Sequence, residues 1–132
     1  MDNPGEILYE DDGLLAVSKV SGDLVIPGRG TDGPSLVERL SGRLGGKLFV
    51  VHRLDKGASG IVLFARDRES HRILSGLFEG RRVHKTYWAV VKGEVERDGV
   101  VDRPIRAFGS GRMGVDDRGK PSETRFRVLE RL

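Results

Sequence analysis

Apolar residues come in short bursts along this chain, and the spacing within each burst predicts an element. Ile7-Leu8-Tyr9-Glu10 and Leu14-Leu15-Ala16-Val17-Ser18-Lys19 read as two short strands joined at Asp11-Asp12-Gly13. An Asp-Gly pair favours a hairpin turn because it tolerates positive φ. Ser21-Gly22 and Pro27-Gly28-Arg29-Gly30 mark loops. Between Ser35 and Leu44, the apolar positions Leu36, Val37, Leu40 and Leu44 have helical spacing, with Ser35 as N-cap and Gly45-Gly46 as the stop.

Phe49-Val50-Val51 and Ile61-Val62-Leu63-Phe64-Ala65 are unbroken apolar runs, as expected of central strands covered on both faces. Asp67 is placed to cap a helix running to Glu79, with Ile73, Leu74, Leu77 and Phe78 as its buried stripe and Gly80 at its end. Thr86 to Val91, aromatic and β-branched, reads as another strand. Val95 to Gly119 is punctuated by glycines and holds only short strand-like pieces. From Glu123 polar and apolar residues alternate again, as in a strand. These elements predict an α+β fold: a mostly antiparallel (mixed) sheet with a few packed helices.

Length and composition narrow the class. A chain of 132 residues suggests one domain. Charged residues at 33% and hydrophobic ones at 37% fit a folded protein rather than a disordered one. No apolar run is long enough to span a bilayer, and Met1-Asp2-Asn3-Pro4 does not read as a secretory leader. Without cysteine there is no disulfide framework and no thiolate metal site, and a cytoplasmic location is the default expectation. The net charge of +3 is mild, but its distribution is not. Arg66, Arg68, His71, Arg72, Arg81, Arg82, His84 and Lys85 fall close together, whereas Glu6, Glu10, Asp11 and Asp12 gather at the start. A solvated helix face accounts for that basic run as readily as a phosphate-binding face does.

The first chemical candidate is the charged knot His52-Arg53-Leu54-Asp55-Lys56, set between two apolar runs. Charge at a buried strand end is costly unless paired or used. On an extended chain Arg53 and Asp55 point the same way, so a guanidinium and a carboxylate would share one pocket. Shielded and held by a cation, Asp55 could act as nucleophile or base; a strand-end ion pair or an Asx turn explains the same spacing. The second candidate is Lys85-Thr86-Tyr87-Trp88-Ala89, aromatics beside a basic patch, which read as a base-stacking platform or as ordinary core aromatics. The three histidines show no metal-ligand spacing, and Gly28-Arg29-Gly30 and Gly109-Ser110-Gly111 are too short for phosphate loops.

Together, "HRLDKGASGIVLFAR" and "KTYWAVVKG", with "ILYEDDGLLAVSK" before and "ETRFRVLER" after, resemble the RNA pseudouridine synthases of the RluA family, whose signature is His-Arg-Leu-Asp. The blocks agree in order and approximate spacing along almost the entire chain. The resemblance implies a pseudouridine-synthase catalytic-domain-like fold, isomerisation of uridine to pseudouridine in rRNA or tRNA, and no metal or cofactor. It implies that Asp55 is the catalytic aspartate, acting on the ribose of a flipped-out uridine by attack at C1′ or by proton removal from C2′. By the same resemblance Arg53 enters the space left by the base, and Tyr87 packs on the base and assists proton transfer. His52 and Lys85 join Arg53 as substrate-binding candidates, and the basic stretch from Arg66 to Lys85 holds phosphates.

Two departures qualify the match. The family's Lys-Pro-x-Gly is Lys19-Val20-Ser21-Gly22 here, and its Gly-Arg-Thr-His-Gln-Ile-Arg-like segment has no counterpart before Leu132. Residues 1–132 are therefore expected to be the N-terminal part of a catalytic domain, inactive alone, with no S4-type domain before the pattern that begins at Glu6. A non-catalytic RNA-binding remnant is the alternative. A strand from Glu123 to Val128 lacking its next neighbour is expected to leave an open edge for self-association. A carboxylate glycosidase would need a second acid facing Asp55, and Glu79, Glu94 and Glu123 read as surface residues.

Overall fold

The computed structural model describes residues 5–28 and 33–132. The Met1–Pro4 segment, and Arg29 and Gly30 of the expected loop, lie outside the described residues. The chain forms two compact units, one up to Thr86 and one from Tyr87 to Leu132.

In the first unit, Asp11 makes the first turn. Its carboxylate accepts the N–H groups of Gly13 (2.8 Å) and Leu14 (2.7 Å), which holds its pKa below the ordinary value. β1 (Glu6–Glu10) and β2 (Leu14–Lys19) leave this turn as an antiparallel pair. Gly13 does not adopt the positive φ expected of an Asp-Gly turn. Close approach explains it instead: a Cβ there would sit 2.4 Å from the Ser70 hydroxyl, which is bonded to Asp67 at 2.9 Å.

α1 (Leu36–Leu44) begins where the Glu38 carboxylate reaches back to the Ser35 N–H (2.7 Å) and hydroxyl (2.9 Å). Its first N–H groups are satisfied from outside the helix, Leu36 by the Leu24 carbonyl (2.7 Å) and Val37 by that of Val25 (3.0 Å). Gly45, at φ 70°, ends it in the left-handed conformation that glycine accepts most easily.

β3 (Phe49–Val50) and β4 (Gly60–Ala65) complete an antiparallel sheet in the order β1-β2-β4-β3. Leu15, Val17, Val25, Leu36, Leu40, Leu48, Leu54, Val62 and Phe64 form its core. Only β4 of the two expected central strands is central. β3 is short and lies at the edge, and Ile61 of β4 is 59% exposed. α2 (Arg68–Glu79) is capped by Asp67, whose carboxylate accepts the Ser70 N–H at 2.8 Å. Leu74, Leu77 and Phe78 are half-buried, but Ile73, at the rim of the stripe, is half exposed.

In the second unit β5 (Gly99–Asp102) pairs with β8 (Glu123–Phe126), and β6 (Ile105–Ala107) with β7 (Met113–Val115), both antiparallel. Asp116 holds Arg118 (3.2 Å) and Arg106 (3.6 Å). The strand expected over Thr86–Val91 does not form: the segment has no regular structure, and Trp88 and Val90 are each 88% exposed. Strand propensity is realised only against a partner, and no described residue pairs with this run. The Glu123 segment, by contrast, pairs through β5, and among the described residues no strand pairs with its other edge.

Candidate active site

The charged knot is presented where β3 leaves the sheet. Continuing the register Val50↔Phe64 would next pair Val51 with Leu63, yet β3 stops at Val50. The Leu63 N–H is taken instead by His52 Nε2 at 2.9 Å. An accepting Nε2 leaves the proton on Nδ1. The ring also stacks on Phe78 of α2, with centroids 4.6 Å apart and planes 16° from parallel. Burial pushes the His52 pKa down, and the nearby Lys85 ammonium adds to that. From α2, His71 Nε2 lies 3.2 Å from the Val50 carbonyl, so a second imidazole sits against β3.

With its backbone freed from the ladder, the chain runs outward over the core. Leu54 is buried in the core cluster, while Arg53 and Asp55 on either side are exposed. This is the alternation expected of an extended segment, with guanidinium and carboxylate on the same side. They do not form an ion pair, so among the described residues the strand-end ion-pair reading is not realised. The carboxylate lies at the surface, not in the shielded pocket the sequence led us to expect, because Leu54 takes the inward position.

A turn follows, closed by the Ala58 N–H on the Asp55 carbonyl at 3.0 Å. The loop after β2 grips it. Gly22 N–H donates to the Lys56 carbonyl at 2.7 Å, and the Ser21 hydroxyl to that of Gly57 at 2.9 Å. Lys19, only 1% exposed, donates from Nζ to the carbonyls of Val20 (3.0 Å), Asp23 (2.7 Å) and Lys56 (3.1 Å). Burial pushes its pKa down, while the Asp23 and Asp55 carboxylates pull it back up. The sequence marked Lys19 only as the start of Lys19-Val20-Ser21-Gly22 and did not anticipate its burial, although strand alternation puts it on the face of Leu15 and Val17, both fully buried.

The basic run divides. Arg66 bonds Glu10 (2.6 Å) and the Asp11 carbonyl (3.0 Å), Arg72 pairs with Glu69 (2.6 Å), and His71 serves β3. Arg68, Arg82, His84 and Lys85 are exposed. Thus His52, Arg53, Asp55 and Lys85 all belong to the first unit, whereas Tyr87 opens the second, 59% exposed. Among the described residues no group of three or more His, Asp or Glu side chains gathers as a metal would require, and no helix is long and apolar enough to cross a membrane.

An antiparallel sheet carrying a His-Arg-Leu-Asp segment at the departure of its edge strand defines a class, and comparison with known proteins gives the same class. The model for the RNA pseudouridylate synthase family matches residues 13–132. The chain belongs to that family. It is 40% identical over 131 residues to the dual-specificity RNA pseudouridine synthase RluA of Vibrio vulnificus, covering 96% of this chain and 52% of that protein. With ribosomal large subunit pseudouridine synthase D of Nitrosomonas europaea the identity is 37%, over 98% of this chain and 40% of the relative. The solved structure of human RNA pseudouridylate synthase domain containing 4 superposes with a TM-score of 0.68 at 29% identity, covering 93% of this chain and 53% of that one. The chain thus spans about half the length of these relatives, or somewhat less.

Proposed function

We propose that this chain supplies the N-terminal part of the catalytic domain of an enzyme that isomerises uridine to pseudouridine in rRNA or tRNA. Asp55 is its reagent. Cleavage of the N1–C1′ bond builds positive charge at the anomeric carbon, and a carboxylate beside it lowers the barrier. The freed uracil turns, C5 bonds to C1′, the C5 proton leaves to solvent and N1 gains one, so composition is unchanged. Asp55 takes part by attack at C1′ or by removing the C2′ proton.

Arg53 fills the gap left by the flipped base, and Tyr87 packs on that base as a flat wall. Lys85 and the exposed arginines of the basic run hold phosphates, while His52 contributes by fixing the path of the chain into Arg53 and Asp55. Extruding a base costs a few kcal/mol of stacking, which these contacts must offset. The observation that carries the proposal is the Leu54-anchored pair Arg53 and Asp55, unengaged and facing outward on a braced turn, where a docked nucleotide can reach both.

The same exposure, with no cation bonded to Asp55 among the described residues, favours a second reading in which the fold binds RNA and catalyses nothing. One experiment separates them. RNA labelled with tritium at uridine C5 is incubated with the natural gene product, and its binding is followed at rising salt. Tritium release together with salt-weakened binding supports the isomerase; salt-weakened binding with no release supports the binding remnant.

A further inference from the structure

We propose that Arg39 is a positioning residue for Asp55, acting through Asp23: the ion pair holds the loop after β2 against α1, and that loop holds the turn that carries the carboxylate. On α1, Arg39 stands three residues after Leu36 and one before Leu40, so it borders the face those two leucines bury in the core. Its side chain is only 16% exposed and that of Asp23 23%, so this is not a fully solvated surface pair of the kind that contributes almost nothing. The guanidinium divides its donors. Nη2 donates to the Asp23 carboxylate at 2.6 Å and Nη1 to the Pro34 carbonyl at 3.2 Å, so one side chain holds both residues. Nε is buried and donates to nothing among the described residues. A leucine would fill the same border of the core without that unmet donor, so packing alone does not explain the arginine.

Asp23 sits at a joint. Just before it, the Ser21 hydroxyl donates to the Gly57 carbonyl (2.9 Å) and the Gly22 N–H to that of Lys56 (2.7 Å). Just after it, the carbonyls of Leu24 and Val25 take the first N–H groups of α1, those of Leu36 and Val37. Val20 to Asp23 form a turn with Gly22 at φ 99°, but its own closing bond, from the Asp23 N–H to the Val20 carbonyl, is long at 3.4 Å. The turn therefore takes its shape from outside contacts. Lys19 holds the Val20 and Asp23 carbonyls from the β2 side; from α1 the contact is Arg39 on the Asp23 side chain. If Asp23 swings away from α1, Ser21 and Gly22 move with it, and the carbonyls of the two residues after Asp55 lose fixed donors. A displacement of about 1 Å at a reacting group is enough to cost about 100-fold in rate.

The proposal rests on the assigned role of Asp55, so one arm of its test does not depend on catalysis. In the natural gene product, Arg39→Leu, Asp23→Asn and the double variant are compared with wild type by hydrogen exchange at the Gly22 amide and in the β2–β4 ladder, and by kcat and KM for tritium release from RNA. Each single variant is expected to speed Gly22 exchange at least about tenfold with the ladder unchanged, and to lower kcat at least about tenfold with KM retained. The double variant is expected to match the singles, because either change already breaks the pair. Unchanged Gly22 exchange overturns the proposal, as do protection lost equally across the ladder, additive effects of the two changes, and faster exchange with kcat intact. Should Arg39→Leu fail to fold, Asp23→Asn, nearly the same size as the residue it replaces, decides by the same readings. If the wild type releases no tritium, the assigned function fails, and exchange at Gly22 still decides whether the pair holds the loop.

Discussion

Replacing His52 by alanine tests how the Arg53–Asp55 segment is presented. The substitution leaves the half-buried Leu63 N–H without its acceptor at 2.9 Å and removes the ring stacked on Phe78 at 4.6 Å. An unsatisfied buried donor costs about 1–3 kcal/mol and an aromatic pair contributes about 0.5–1.5 kcal/mol. Because both residues are only half-buried, water re-solvates part of the site, and the lower part of the combined range applies, about 2 kcal/mol. For a unit of this size that is a fall of roughly 8–16 °C in Tm. His52→Gln restores an acceptor without the stack and should recover about half of the loss.

The pH dependence adds a signed test. The folded His52 has its pKa pushed below the ordinary 6.5 by burial first and the Lys85 charge second. Its neutral form therefore favours the fold fully above 6.5, and this contribution is lost as pH falls from 6.5 through the lowered folded value. Urea melts of wild type and His52→Gln between about pH 7.5 and 5 isolate it: the gap between the two should narrow as pH falls. A His52→Ala protein within about 0.5 kcal/mol of wild type, or a gap that widens on acidification, refutes the reasoning.

Leu54→Ala removes a core side chain lying between the two outward residues, and should cost about 2–4 kcal/mol in a denaturant melt. Gly119→Ala places a Cβ 2.5 Å from the Ile105 carbonyl carbon, and limited proteolysis should show faster cleavage confined to residues 87–132. The carboxylates of Asp11, Glu38 and Asp67 are held below their ordinary values, chiefly by backbone N–H groups. Their contribution is present above those ordinary values and is lost as pH falls through the folded ones, so Asp67→Asn should flatten the acid limb of stability against pH.

Local chemistry made much of this fold readable. Ser35, Glu38 and Gly45 bound α1, and Asp67 and Gly80 bound α2, because caps act within a turn of where they stand. The exposed Thr86–Val91 run was misread because strand character depends on a distant partner that propensity does not reveal. The length of β3 was misread for a related reason. A side chain, His52, completes the hydrogen bonding of β4 in place of backbone, and only the folded arrangement shows it. At the site, the resemblance singled out Asp55 and Arg53 by their motif, while their shared outward direction follows from the alternation around Leu54. Lys19 entered only as part of the Lys19-Val20-Ser21-Gly22 segment; its burial, in phase with Leu15 and Val17, was not foreseen, since an inward ammonium needs acceptors that only tertiary structure supplies.

The central claim is that the Asp55 carboxylate carries out chemistry on RNA. Asp55→Asn keeps the size of the side chain and disturbs no bond seen in the fold, so the variant should bind RNA with wild-type affinity. Its rate of C5 tritium release should fall at least about 100-fold below that of the natural gene product. A variant that binds equally well and releases tritium at the wild-type rate would contradict the account.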